Sequence, residues 1–255
     1  MSLEGKVAFV TGAASGMGRL LSHNMARAGA RVAAVDLDEA GLAKTAEGNP
    51  GIECFSCDVT NPGALEAVAK QVETELGPID RVFAAAAIMP SGRLLDQDLG
   101  TIHRIMDINY GGVVNTVRST LPAMIERGHG DMVIFASMAG WQPVLLLGAY
   151  NASKFAVVSF SEVLLHENRN SGIRFACVCP PPVNTPLLDQ AKDARPKIFD
   201  EVETLEPQSV LDAIEKTLDD GSFWVFPGKT TRMGWRFRRW FPKAGWKQIH
   251  KIEGW

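Results

Sequence analysis

Short apolar segments alternate with helical patterns along most of the chain, and this alternation constrains the fold more than any single motif. VAFV at residues 7–10 is followed by GMGRLLSHNMARAG, a helical pattern with apolar Leu20, Leu21 and Met25, and then by RVAAVD, which ends at Asp36. The beat continues through a second helix, IECFSCDV, a helix at 62–76, RVFAAAA, and helical segments at about 100–127. After these come DMVIFAS, a helix from about 150 to 169, IRFACVCP, PQSVLDAIEKTLDD and FWVF. Strands that are apolar on both faces and separated by helices require a parallel sheet covered on both sides. The expected fold class is α/β.

No Ser/Gly-rich linker divides the chain and no repeat of about 20–50 residues recurs. One domain over residues 1–228 is therefore expected, followed by a basic, aromatic tail at 229–255. The stretch from Pro181 to Glu206, with prolines at 181, 182, 186 and 196, reads as a long excursion, either a substrate lid or a disordered insert.

A hydrophobic share of 46% with 22% charged residues excludes a disordered or fibrous chain. Four cysteines are too few for a disulfide-stapled scaffold. Cys54 and Cys57 form a CxxC within a strand segment, where residues three apart face opposite sides. Cys177 and Cys179 share a face with no nearby His. All four are read as reduced packing residues, and no metal site is expected. The opening MSLEGKVAFV has neither a basic leader nor a separate apolar block. The runs VFAAAAIM and PVLLLGAY stop well short of the roughly 20 residues that cross a bilayer. The expected location is the cytoplasm, with membrane association only at a surface.

Charge is unevenly placed. The net charge is −3, yet Lys229 to Trp255 holds eight basic residues against Glu253 alone, a local +7 that leaves −10 on residues 1–228. A basic end on an acidic body can be drawn to an anionic surface or to the body itself. If 233–241 is helical, Met233, Phe237, Trp240 and Phe241 form one stripe, with Arg236, Arg238 and Arg239 beside or opposite it, and Pro242 ends that turn. Such a pattern suits an anionic membrane surface or a groove on a partner subunit. We adopt the peripheral-membrane or substrate-delivery reading, against a tail folded over its own or a neighbour's acidic body. Nucleic acid ranks last, because no recognition motif accompanies the charge.

Between the first strand and the first helix stands TGAASGMG, Thr11 to Gly18. Glycines at 12, 16 and 18 allow a tight turn, a close approach of backbone to a ligand, and helix-start N–H groups aimed at a pyrophosphate. The absence of GK[ST] excludes a nucleoside-triphosphatase loop. Asp36 ends the second strand, where a carboxylate accepts hydrogen bonds from an adenosine ribose and repels a 2′-phosphate. NAD is thus favoured over NADP; Arg19 and Arg31 are the only nearby basic candidates for that phosphate.

The helix near 150 opens with Tyr150-Asn-Ala-Ser-Lys154. Residues i and i+4 share a face, so the Lys154 ammonium can favour ionisation of the Tyr150 phenol. Ser137 ends DMVIFAS at the carboxyl edge of the sheet, where open α/β folds bind ligands. Taken singly, such a Tyr–Lys pair or such a Ser is more often structural than catalytic.

Taken together, TGAASGMG, Asp58-Val59 after the third strand, Asn109 in RIMDINYGG, and Ser137, Tyr150 and Lys154 with twelve residues between Ser and Tyr resemble the short-chain dehydrogenases/reductases of the classical type, over residues 5 to about 228. The resemblance implies a single-domain Rossmann fold, a doubly wound parallel sheet of usually seven strands that moves hydride between NAD(P) and a carbinol or carbonyl carbon. It implies Tyr150 as general acid/base and Lys154 as the residue that lowers its pKa and holds the nicotinamide ribose. Ser137 would polarise the substrate oxygen and Asn109 would support a water relay to Lys154. The implied cofactor-binding set is Gly12, Ser15, Gly16, Met17, Gly18, Asp36, Asp58, Val59, Ala85, Tyr150, Lys154, Val183 and Thr185. The family's pairing implies a homodimer or homotetramer through the helices at 100–127 and 150–169.

Two stretches depart from the family pattern. Ala84-Ala85-Ala86-Ala87 replaces NNAG, a loss of amides expected to loosen the sheet edge or be met by water. Pro180-Pro181-Pro182 replaces a PG-containing turn. The segments expected around the substrate supply Met89, Met138, Trp141, Val144, Leu145, Leu146, Leu147, Leu187 and Leu188, almost without charge. Such a pocket rejects sugars and small acids, whose polar groups would be buried unpaired. The expected activity is NAD-dependent oxidation or reduction at an apolar secondary alcohol or ketone of steroid, terpene, aryl or long-chain type. A catalytically weak NAD-binding or lipid-binding scaffold is the alternative.

Overall fold

Alternate residues of the first strand enter different cores: Val7 and Phe9 pack on one side of the sheet, Ala8 and Val10 on the other, and all four are buried. Two-sided burial explains why the segment reads as an unbroken apolar run, and it demands helices on both faces. The computed structural model describes residues 3–191, 194–228 and 231–255, apart from the side chains of Phe237 and Arg238. Lys229 and those two side chains, which the sequence assigns to the tail's basic aromatic pattern, lie outside the described residues.

In chain order the first elements are β1 (Val7–Thr11), α1 (Gly16–Arg27), β2 (Arg31–Asp36), α2 (Glu39–Ala46), β3 (Ile52–Ser56), α3 (Pro62–Glu75) and β4 (Ile79–Ala84). The middle of the chain forms α4 (Leu99–Met106), α5 (Gly112–Arg127), β5 (Gly130–Phe135), α6 (Gly148–Glu167) and β6 (Ile173–Val178). The rest supplies α7 (Pro186–Asp189), α8 (Ile198–Glu201), α9 (Pro207–Asp219), β7 (Trp224–Val225), α10 (Thr231–Trp240) and α11 (Pro242–Glu253). The seven strands form one parallel sheet in the order β3-β2-β1-β4-β5-β6-β7. Leu65, Val117 and Val157 bring α3, α5 and α6 onto one face; Leu21, Leu42 and Ile214 bring α1, α2 and α9 onto the other.

β1 lies between β2 and β4, pairing Val10 with Ala34 and with Phe83. The chain therefore reverses its direction of winding at β1 and β4, and their carboxyl ends frame a crevice. At the opposite edge, buried Arg81 is bound by Asp131 and Glu215, and Arg174 shares the Asp131 carboxylate. Those charges are neutralised within the frame, away from the crevice.

Two expectations change here and one is extended. The described part of the 181–206 excursion is not a disordered insert, because it forms α7 and α8. The extended one concerns Pro242: α10 stops at Trp240, before this proline, as expected, and because Pro242 is the first residue of α11 its missing N–H costs nothing, so it also starts a second helix. Cys54 is exposed rather than packed, whereas Cys57, Cys177 and Cys179 are buried and all four are free thiols.

Candidate active site

The turn from β1 into α1 is held by close backbone contacts. A Cβ on Gly12 would lie 2.8 Å from the Ala86 Cα, and one on Gly18 would lie 2.0 Å from the Gly12 carbonyl oxygen. Gly12 also has φ +73°. Any side chain at either position would push the turn off the sheet. Within the Ala84 to Ala87 run, Thr11 Oγ1 on the neighbouring strand accepts from Ala85 N at 3.1 Å and from Ala86 N at 3.4 Å.

The start of α1 differs from its neighbours. Asp38 caps α2 through Gly41 N, Asn61 caps α3 through Ala64 N, and Asp98 caps α4 through Thr101 N. Ser15 makes no such bond, and the first turn of α1 has no acidic residue. Its amide donors are left for an anion, with the positive end of the helix dipole behind them. The Asp36 carboxylate at the end of β2 accepts from Ala14 N and Asp38 N, each at 3.0 Å, which fixes its orientation. Arg19 does not reach toward it as a phosphate ligand; its guanidinium is bound to Thr45 and to the Ala14 and Gly41 carbonyls.

These groups line a cavity of about 940 Å³. Gly12, Ser15, Gly16, Met17, Gly18, Asp36, Asp58, Val59 and Ala85 line it together with Ser137, Tyr150, Lys154, Val183 and Thr185. Asp58 turns one oxygen to Thr60 N and Oγ1, at 2.9 and 2.8 Å. Of the predicted catalytic and cofactor-binding residues, Asn109 alone does not line the cavity. It is fully buried in a π-helical turn at Asp107–Gly111, where its Oδ1 accepts from Ile88 N and its Nδ2 donates to Ile88 O and Ser153 Oγ. Ser153 in turn donates to the Tyr150 carbonyl at 2.7 Å, so Asn109 ties the Ile88 backbone to the first turn of α6.

Tyr150 and Lys154 share the inner face of α6 and are buried, at 5% and 2% exposure. The Lys154 ammonium lies 5.8 Å from the centre of the Tyr150 ring and donates to the Phe135 carbonyl at 2.8 Å. Burial pushes the Tyr150 phenol up to about 12, with a hydrogen bond from Ser137 acting the other way. This reverses the direction expected from the Tyr–Lys spacing, because the cost of removing the phenolate from water outweighs the Ser137 hydrogen bond. Burial also brings the Lys154 ammonium down to about 8, against an upward pull from the sulfurs of Cys177 and Cys179.

At the other end of the cavity, Met89, Met138, Val144, Leu147, Leu187 and Leu188 line the wall as expected. Trp141, Leu145 and Leu146 do not. Trp141 instead packs edge-on to Trp224 and Trp235, at 5.0 and 5.5 Å between ring centres, and donates to Cys179 Sγ. Sequence reasoning missed Gln142, Gln190, Gln248, Ile198 and Phe199, which also line the cavity. It also missed that Thr231, Met233 and Gly234 of α10 form part of the wall. The amphipathic period of 242–253 could have signalled a packed helix, but nothing in it names the surface it packs on. That surface is α8: the Glu253 carboxylate accepts from Lys197 N and Ile198 N at 3.1 and 3.0 Å, and Ile249 is buried beside Ile198 and Phe199.

Comparison with known proteins agrees with this architecture. A curated relative in Emericella nidulans, glycine betaine reductase ATRR, is 36% identical over 83% of this chain, which spans only 17% of that protein's length. Human epidermal retinol dehydrogenase 2 is 28% identical over 89% of this chain and 75% of its own. Ketoacyl reductase HetN of Nostoc is 31% identical over 85% of this chain and 76% of its own. Among solved structures, a short chain dehydrogenase/reductase from Burkholderia phymatum in complex with NAD superposes with a TM-score of 0.86 at 26% identity, covering 96% of each chain. The family model for short chain dehydrogenases matches residues 6–196, from β1 through the reacting helix to the excursion, and the chain belongs to that oxidoreductase family.

Proposed function

We propose that the protein interconverts an apolar secondary alcohol and its ketone with NAD(H), using Tyr150 as the proton-handling group. The observation that carries this reading is one cavity lined both by an uncapped α1 start with the Asp36 carboxylate and by Ser137, Tyr150 and Lys154. NAD fits this end of the cavity. The α1 amides would hold its pyrophosphate, Asp36 its adenosine ribose, and Lys154 with Val183 and Thr185 its nicotinamide end. When bound, it supplies a hydride acceptor or donor. The apolar wall of Met89, Leu147, Leu187 and Phe199 favours an apolar substrate body; Gln142, Gln190 and Gln248 are among the polar groups that would orient it, with Arg104, Asp107 and Glu203 also on the lining.

The chain's own part is the proton. Ser137 and Tyr150 present hydroxyls to the substrate oxygen, and a phenol held near 12 is protonated at neutral pH, ready to give its proton to a developing alkoxide. In the reverse direction the phenol must first ionise. Oxidation is therefore expected to speed up as pH rises from neutral toward 8, where Lys154 still keeps its charge, while reduction holds level there. Asn109 acts as a positioning residue through Ile88 and Ser153.

Assays of NADH formation on a panel of steroid, terpene, aryl and long-chain secondary alcohols, across that pH range, provide the test. Tyr150→Phe should lower turnover by about 10³-fold while leaving NADH binding, read by fluorescence, largely intact. Retained turnover in that variant, or oxidation that slows with rising pH, would overturn the mechanism.

A further inference from the structure

Helix α10 presents two outward stripes whose described side chains are exposed. Thr231 and Gly234 line the cavity and Trp235 packs onto Trp141 and Phe226, so these residues turn inward. Met233 and Trp240, two turns apart, are 66% and 74% exposed, and Phe241 beyond them is 59% exposed. Arg232, Arg236 and Arg239 form the adjoining stripe, and Lys243 and Lys247 follow on α11, all exposed. No ion pair among the described residues involves any of these five cations. Glu253, the only acidic residue from 229 onward, is buried against the start of α8 and offers them no neutralising charge.

We propose that this face of α10 and α11 docks on a bilayer surface rich in anionic lipid, with Met233, Trp240 and Phe241 at headgroup depth and the arginines on the lipid phosphates. Charge complementarity selects the occupant. The segment carries +7 and the remaining chain −10, so an anionic surface attracts this end, repels the body and sets one orientation. A two-fold pairing of copies through the same face would set its arginines against themselves. Nucleic acid would use the arginines and leave Met233 and Trp240 exposed to water, whereas the headgroup layer accepts both. Among the described residues no helix is long and apolar enough to cross a membrane, so the contact is peripheral. Met233 belongs at once to the exposed stripe and to the cavity wall, which places the substrate end of the cavity beside the docked surface.

The test uses the full chain and vesicles of phosphatidylcholine with or without phosphatidylserine. Sedimentation with the anionic vesicles at low salt is expected, with loss at high salt and little binding to neutral vesicles. Brominated-chain lipid should quench tryptophan fluorescence, and Trp240→Ser should remove most of that quenching while leaving turnover of a water-soluble alcohol unchanged. Arg236→Glu with Arg239→Glu should weaken partition by at least about 25-fold, at roughly fivefold per arginine, with an unchanged melting temperature. Equal binding to both vesicle types, no binding, or binding that survives the double variant would overturn the proposal. So would binding without quenching together with equal affinity for a DNA duplex, which would mark a polyanion site. A change in oligomeric state without vesicle binding would mark an interface between copies and would also overturn it. Sedimentation, quenching and melting need no catalysis, so the proposal stands or falls apart from the proposed reaction.

Discussion

The two ends of the cavity are built differently. The end formed by β1, α1 and β2 is almost all backbone: glycines too close to their neighbours for a side chain, amides without a cap, and a carboxylate fixed by two N–H donors. The other end is assembled from side chains: Met89, Met138 and Leu147 from the loops after β4 and β5, joined by α7, α8, α10 and α11, which follow β6 and meet through a few long-range contacts. The lesson is that the first end resists change sharply at single positions, while the second can be reshaped by degrees. Binding a common group and choosing among variable substrates call for those opposite properties.

Gly18→Ala should strain the comparison most. Its new methyl group would meet the Gly12 carbonyl at 2.0 Å, so cofactor affinity is expected to fall by more than about 100-fold in a chain that still melts cooperatively. A near-normal NADH titration would show that the turn is not held as described. Asp36→Ala is milder: removing a charged acceptor of ribose hydroxyls should cost about tenfold in NAD affinity and narrow the preference over NADP. Comparable efficiency of the unaltered protein with both cofactors would show that the carboxylate does not decide. The smallest effect is expected at the substrate end, where Glu253→Ala leaves the Lys197 and Ile198 amides unpaired and loosens α11 from α8. KM for bulky alcohols should rise a few-fold with kcat little changed, and stability should drop by about 1–3 kcal/mol. A loss of NADH affinity in that variant would mean that the two ends are coupled.

Much of this was legible in the residues before any coordinates. The strand and helix order, the phosphate turn, Asp36 and the Tyr150–Lys154 pair are all local patterns, carried by a period of two or 3.6 or by a glycine at a turn, and each lies where the sequence put it. Ser137 at the end of its strand was legible for the same reason. The misreadings cluster where distant segments meet. Trp141 was assigned to the substrate wall by its apolar character, yet Trp224 and Trp235 claim its ring. Thr11 accepts from Ala85 N and Ala86 N from the neighbouring strand, and no spacing rule names a partner more than 70 residues away in the chain.

Short-range chemistry therefore settled the α/β class and the place of the glycine turn: backbone periodicity and glycine conformation depend on a residue and its near neighbours, which the chain itself displays. The apolar end of the cavity, the second tail helix against α8, and the raised Tyr150 phenol required the folded molecule. Burial and packing depend on which surfaces remain once the sheet has formed. A tail that reads as an appendage becomes a wall because Ile249 and Glu253 find the side of the excursion, and a phenol that reads as activated is held protonated because the same closure removes its water.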